Sequence, residues 1–137
     1  MSRVLSFEVG GSAKSKGSLS SYGRGRMVEA VAGSAEWRAE VAWTAARAAR
    51  KGGWETIARP DPARVEAVFR FARRGRAPFP TTRSTYDSDK LARNLLDALQ
   101  DAAILDDDSQ VVDLHVRKVW ARDDEVPGVR VMVVASS

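Results

Sequence analysis

Apolar and polar residues alternate with a period of two in four stretches of the chain, and each alternation predicts a β-strand. In the first stretch, Ser6 and Glu8 separate apolar residues that would share one face of a sheet. In the second, Glu66 and Arg70 are expected to point outward. The predicted strands are residues 3–9, 64–72, 111–120 and 129–134, with Leu5, Phe7, Val9, Val65, Ala67, Phe69 and Phe71 inward and with Val112, Leu114 and Val116 on one face.

A period of 3.6 residues predicts two helices between these strands. The first covers residues 35–51, with Ser34 as its N-terminal cap and Gly52 at its end. The second covers residues 89–102, where apolar and polar residues, Asn94 among the latter, occupy opposite arcs of the helical wheel. The order strand–helix–strand–helix–strand–strand predicts an α/β fold, a mixed sheet packed with two helices in one domain of residues 1–137.

Basic residues are concentrated in two stretches of the chain. Residues 10–33 are rich in Gly and Ser, which predicts a long, mobile loop. Residues 64–83 carry six arginines against the single acid Glu66, whereas residues 87–113 are acid-rich. A basic surface around an acidic focus is typical of a nuclease, in which arginines hold phosphates and carboxylates hold a metal ion. A solvated surface with unevenly distributed arginine is the alternative that composition leaves open.

Several classes of protein are disfavoured by what the chain lacks. It has no cysteine, which excludes disulfides, zinc–cysteine sites and thiol nucleophiles. Its apolar runs are too short to span a membrane, and its first residues lack the apolar core of a signal peptide. No glycine-rich phosphate-binding loop joins a predicted strand to a helix. We therefore expect a cytoplasmic location.

The pair Asp87 and Asp89 is the first candidate for chemistry. In an extended segment, residues two apart point to the same side, so both carboxylates could bind one cation. Oxygen ligands without histidine suit Mg²⁺ or Mn²⁺. Helix capping, at about 1 kcal/mol, is the alternative. Asp108 follows the same helix, but the sequence does not fix its distance from Asp89, which depends on helix tilt and dimer contacts. For residues 106–108, an ordinary solvated turn is the alternative to a metal site.

Four short motifs occur in a specific order along this region. They are D-S-D-K-L at 87–91, a basic residue at Arg93, D-A-L at 97–99 and D-D-S-Q-V at 107–111. Together they resemble the signature of the RusA family of crossover-junction endodeoxyribonucleases, with a close match over residues 85–118 and weaker features along nearly the whole chain. Several elements in order and at the right spacing are much more specific than any one of them.

The resemblance implies a homodimer, in a bacterial or phage-infected cell, that resolves four-way (Holliday) junctions in DNA recombination and repair. It implies paired phosphodiester hydrolysis with Mg²⁺, for which Mn²⁺ can substitute, and no organic cofactor. The metal-binding aspartates of the family fall on Asp87, Asp89 and Asp108, and its catalytic basic residue falls on Arg93. Here the chain departs from the lysine of the best-known members. Because arginine cannot give up its proton, Arg93 is expected to clamp a phosphate; a salt bridge within the helix is the alternative.

Other polar residues near the motifs receive secondary roles. Asp97 is expected to orient Arg93, with an ordinary surface acid as the alternative. For Tyr86, packing is favoured over stacking on a base, and His115 is interpreted as an ordinary strand residue. Two further functions stay open: a non-catalytic DNA-binding module, and a nuclease that prefers flaps or forks. The expected DNA contacts are Lys14, Lys16, Arg24, Arg26, Arg73, Arg74, Arg76, Arg83, Lys90 and Lys118.

Overall fold

The predicted order of strands and helices is confirmed, with one additional hairpin near the start of the chain. The computed structural model describes residues 2–16, 19–22, 26–29 and 32–136. Short 3₁₀ turns lie at Arg83–Thr85 and Asp108–Gln110. The elements are β1 (Ser2–Gly10), β2 (Leu19–Tyr22), β3 (Arg26–Glu29), α1 (Ser34–Gly52), β4 (Ala63–Phe71), α2 (Ser88–Asp101), β5 (Val111–Trp120) and β6 (Gly128–Ser136).

The main sheet has four strands in the order β1-β6-β4-β5. β4 and β5 are parallel, and the other neighbours are antiparallel, so the sheet is mixed as predicted. α1 contacts β1, α2 contacts β5, and the two helices contact each other. Within the described residues, no helix is both long and apolar enough to cross a membrane. The core between helices and sheet includes Leu5, Val41, Ala45, Val65, Phe69, Leu91, Leu95, Leu99, Val129, Val131 and Val133.

The start of α1 differs from the prediction, whereas its end at Gly52 is confirmed. Gly33, not Ser34, is the N-terminal cap, and the Ser34 hydroxyl donates instead to the buried carbonyl of Ser15 at 2.8 Å. At the other end Gly52 is the last helical residue, and Gly53 caps the helix with φ +64°. Glycine suits that position because the left-handed conformation costs it no steric clash.

The prediction of a single loop over residues 10–33 was wrong in part. β2 and β3 pair as a small antiparallel sheet within that range. Their four residues each are too few to give a clear alternation among the surrounding Gly and Ser. The residues before them are also held: Ala13 and Ser15 are buried, and the Lys16 amide donates to the carbonyl of Lys90 at 3.1 Å. The segment 13–16 is thereby fixed against α2.

α2 buries its predicted apolar arc, but one polar residue is buried with it. Asn94, assigned to the exposed arc, is only 2% exposed. Its amide donates to the carbonyls of Lys14 and Ser34, at 3.1 and 3.3 Å. Burial is tolerated because both partners are supplied by the chain. Asn94 therefore joins α2 to the segment 13–16 and to the start of α1.

Arg70 is the other polar residue whose predicted exposure was wrong. It lies on the sheet face opposite the helices, as expected, but is 8% exposed. Gly128, its neighbour on β6, has no side chain to displace it. The guanidinium forms ion pairs with Glu8 at 3.6 Å and Glu125 at 3.4 Å. These contacts take Arg70 out of the set of arginines available to DNA.

β5 is an edge strand of the sheet. Leu114 and Val116 pair with Val65 and Ala67 of β4, which confirms that they share a face. Val112 is the extra residue where the register shifts, and it is 74% exposed. Leu114 is also 41% exposed. The outer edge of β5 has no neighbouring strand within the described part of the chain.

Candidate active site

Asp87 and Asp89 lie at the start of α2, and neither carboxylate caps the helix. Asp87 occupies the capping position with extended backbone, yet its side chain makes no capping hydrogen bond. Asp89 is in the first helical turn, so the prediction of a fully extended Asp-Ser-Asp segment was wrong. Both side chains are 71% exposed. Both carboxylates are therefore accessible to a ligand. The alternative that Asp87 caps the helix through its side chain is excluded.

Two cationic side chains of α2 lie about 4 Å from these carboxylates. The Lys90 ammonium lies 3.9 Å from Asp87, and the Arg93 guanidinium lies 4.0 Å from Asp89. Exposed pairs at such distances contribute little to stability, typically below about 1 kcal/mol. Arg93, with 62% of its side chain exposed, keeps most of its donors free for another partner.

Lys118 connects the end of β5 to the start of α2. Its ammonium donates to the carbonyl of Tyr86 at 2.6 Å, directly before Asp87. Partial burial lowers the pKa of Lys118, and the negative charge of Asp87 acts in the opposite direction. Lys118, predicted from the sequence to contact DNA, thus fixes the backbone from which Asp87 projects.

Asp108 lies beyond the opposite end of α2. Its amide donates to the side-chain oxygen of Gln100 at 3.0 Å. The neighbouring Asp107 caps the turn by accepting from the Ser109 amide, and hydrogen bonds from the Ser109 side chain and amide lower the pKa of Asp107. Gln110 completes the capping box by accepting from the Asp107 amide at 2.8 Å. Of the acidic turn, Asp107 is thus used for structure, whereas Asp108 is exposed.

The three predicted metal ligands do not meet within one chain. Asp89 and Gln100 are separated by about 16 Å of helix, because each residue adds about 1.5 Å. Asp108 lies at the Gln100 end. Among the described residues, no group of three or more acidic, histidine or cysteine side chains is arranged to hold a metal ion. One chain therefore offers Asp87 and Asp89 together, and Asp108 apart.

Asp97 does not orient Arg93, contrary to expectation. Its carboxylate lies 2.8 Å from the Lys16 ammonium and 3.7 Å from the Arg38 guanidinium. Arg38 also binds Asp101 through two hydrogen bonds, of 2.6 and 2.9 Å, and this contact lowers the pKa of Asp101. The sequence missed this network because Lys16 approaches only when the segment 13–16 packs on α2.

A comparison with protein-family models adds a finding that is independent of this geometry. The model described as Endodeoxyribonuclease RusA matches residues 12–134, nearly the whole chain. The chain belongs to the RusA endodeoxyribonuclease family. A comparison with curated proteins gave no significant match. Family membership confirms the resemblance seen in the motifs and makes the protein a DNA endonuclease.

Besides Lys90 and Lys118, the DNA-binding residues expected of this RusA-family protein fall into three groups. Lys14 and Lys16 are engaged by the fold, the former through a 3.3 Å contact with the Tyr86 hydroxyl. Arg24 lies outside the described residues, and so does the side chain of Arg26. The four arginines of the loop between β4 and α2 are exposed and form no ion pair with any described carboxylate: Arg73, Arg74, Arg76 and Arg83.

A cleft of about 520 Å³ opens between this arginine-bearing loop and the start of α2. Asp87, Lys118, Arg83 and Tyr86 contribute to its walls. Phe79 also lines it and is 55% exposed, although the sequence analysis gave this residue no role. An aromatic residue between two prolines in a basic loop was the available signal. The cleft of this RusA-family protein thus combines an exposed carboxylate, cations and an exposed aromatic ring.

Proposed function

We propose that the protein is a Mg²⁺-dependent endonuclease that cuts four-way DNA junctions as a homodimer. Membership of the RusA family supports the reaction class. The observation that carries the proposal is the state of Asp87 and Asp89: both carboxylates are exposed at one helix end, uncommitted to capping, beside the cations of Arg93 and Lys118. A module that only bound DNA would gain nothing from repelling phosphate at this point.

The donor set fits Mg²⁺. The ion usually takes one or two carboxylates, keeps several waters and completes its shell with substrate phosphate. Asp87 and Asp89 would hold it, and when bound it would activate a water and stabilise charge on the phosphate oxygens. Arg93 lies one turn after Asp89, where its permanently charged guanidinium can hold a phosphate oxygen. Lys118 fixes the Tyr86 carbonyl and so positions Asp87.

A second copy of the chain can bring the third aspartate to this site. A two-fold contact between exposed edges of β5 would pair the two strands antiparallel. The start of one strand, which follows Asp108, would then lie beside the end of the other, where Lys118 contacts the segment of Asp87. The exposed Val112 and Leu114 would be covered at the same time. Each site of the dimer would combine Asp87 and Asp89 with the partner subunit's Asp108.

A mixed-dimer experiment tests this arrangement on a mobile four-way junction. The wild-type protein should cut the junction with Mg²⁺ and not with EDTA, and should cut flaps and forks less well. Dimers carrying only Asp89→Asn or only Asp108→Asn should be inactive. A heterodimer of the two variants, isolated with two affinity tags, should regain nicking because one of its sites keeps all native carboxylates.

The matched control is a heterodimer of Asp87→Asn and Asp89→Asn chains. These residues belong to the same half of the proposed site, so both sites stay defective and no cleavage should return. Recovery in both heterodimers, or in neither while the wild type cuts, would contradict the shared site. Absence of wild-type cleavage on every branched substrate would contradict the endonuclease function itself.

A further inference from the structure

The exposed ring of Phe79 lies in the same cleft as Asp87. Single exposed apolar residues are common and require no explanation by themselves. Phe79 differs because its surroundings are cationic and concave: Arg83 and Lys118 line the cleft with it. The cleft, at about 520 Å³, is within the size range of small-ligand sites. An aromatic surface beside cations and a metal-binding carboxylate is a chemical match for one nucleotide.

The loop that carries Phe79 is anchored at several points. The hydroxyl of Thr85 donates to the carbonyls of Pro80 and Thr82, at 3.1 and 2.8 Å. On the other side, the Trp120 indole donates to the Ala77 carbonyl at 2.7 Å. Pro80 itself is buried. Because the residues on both sides of Phe79 are held, its ring is a preformed surface and little conformational freedom is lost on binding.

Tyr86 also lines the cleft, and its backbone has an unusual conformation. Its φ of +70° is rare for any residue other than glycine and is sustained only where neighbours enforce it. Lys118 holds the Tyr86 carbonyl, and Lys14 contacts its hydroxyl. Asp87 follows immediately in the chain. Tyr86 in the cleft lining and Asp87, the proposed metal ligand, are thus positioned by the same constrained turn.

We propose that this cleft is a subsite for one unstacked nucleobase, next to the phosphate that is cut. The Phe79 ring stacks on the base, Arg83 binds the flanking phosphate, and the sugar–phosphate chain continues toward Asp87. The ligand class is an unpaired deoxynucleotide, which a branch point supplies at lower cost than a continuous duplex because its stacking is already disturbed. The proposal deepens the junction-cutting function and rests on it.

Photo-crosslinking provides a test that does not depend on cleavage. A four-way junction with 5-iododeoxyuridine beside the cleavage position is bound to Asp89→Asn protein, irradiated and digested for mass spectrometry. The crosslink should map to Phe79 or Tyr86. In wild-type background, Phe79→Ala should weaken junction binding about 5- to 150-fold, since stacking on an aromatic residue contributes about 1–3 kcal/mol per base. Phe79→Trp should retain binding.

Trp43→Ala is the matched control, because Trp43 is 58% exposed on α1 and stacks only on Arg47 among the described cations. It should bind and cut as the wild type does, and both variants should keep the wild-type melting temperature. A crosslink elsewhere, or unchanged junction binding and cleavage by Phe79→Ala, would overturn the subsite while leaving the nuclease intact. Failure of the wild-type protein to bind or cut junctions would instead overturn the function on which the subsite rests.

Discussion

At the start of α2, Asp87 and Asp89 are mostly exposed and only loosely paired, whereas near its end Asp97 and Asp101 are bound by Lys16 and Arg38. The four residues are chemically identical and lie on one amphipathic helix. The difference is made by the rest of the chain, since Lys16 of the segment 13–16 and Arg38 of α1 bind the second pair, whereas the first pair lies near cations of α2 itself. Carboxylates that the fold leaves exposed and without a close ion pair are the ones accessible to a metal ion or to substrate.

The sharpest test of this comparison removes one of these exposed carboxylates. Asp89→Asn should reduce Mg²⁺-dependent cleavage below detection, because an amide is a much poorer ligand for Mg²⁺ than a carboxylate. Junction binding should survive or tighten as repulsion of phosphate falls. The melting temperature should not change, since the side chain is exposed. Near wild-type cleavage by this variant would remove Asp89 from the set of metal ligands.

A substitution of Arg93 tests whether the exposed cations at the start of α2 take part in cleavage, as the exposed carboxylates are proposed to do. Arg93→Ala leaves no cavity, so stability should stay unchanged, while single-turnover cleavage at saturating protein should fall about 10²–10³-fold. Arg93→Lys should retain part of the rate because a point charge can still offset the phosphate. Lys90→Ala is the matched control on the same helix face and should have a smaller effect. Wild-type cleavage by Arg93→Ala would leave only the helix ion pair with Asp89.

Much of this arrangement could be predicted from the sequence. The apolar periodicities located the strands of the main sheet and both helices, because each element buries one face in a shared core. The motif from Asp87 to Gln110 predicted the family, which the family model confirms, because its spacing reflects one helix and the turns that flank it. The partners of Asp97 and the burial of Asn94 could not be predicted, since they depend on where a non-periodic segment packs.

The position of Asp108 shows a different limit. Its spacing from Asp89 is visible in the sequence, but whether the two carboxylates share a metal depends on the length of the intervening helix and on a second chain. The proposed role of Phe79 was equally hidden, because a cleft forms only when the loop between β4 and α2 folds back on the end of β5. Sequence reasoning is therefore strongest for local periodicity and weakest where separate segments meet.

The salt dependence of binding extends the comparison to the cations outside α2. Arg73 and Arg74 are exposed and form no ion pair with a described carboxylate, whereas Lys16 is bound to Asp97 at 2.8 Å. Replacing both arginines by Ala should flatten the slope of log K against log salt by about 2, at about 0.9 per phosphate contact. Lys16→Ala should change the slope less. An equal effect of Lys16→Ala would show that pairing with Asp97 does not withdraw a cation from DNA.

The smallest expected effect concerns Asp101, a carboxylate that Arg38 binds through two hydrogen bonds, and it is an effect on the free energy of unfolding. The hydrogen bonds from Arg38 lower the pKa of Asp101 below its ordinary value of 3.8. A carboxyl group whose pKa is lowered by folding stabilises the folded state above its ordinary pKa, and this contribution is lost as pH falls through the lowered value. Asp101→Asn should therefore reduce the free energy of unfolding by no more than about 1 kcal/mol at pH 7, because the pair is partly exposed to solvent. The difference from wild type, measured by urea unfolding, should shrink below pH 3.8.

Cleavage by Asp101→Asn should remain close to wild type, in contrast to Asp89→Asn. Loss of cleavage without loss of stability in Asp101→Asn would place this carboxylate with the reactive end of the helix and end the distinction between the two pairs.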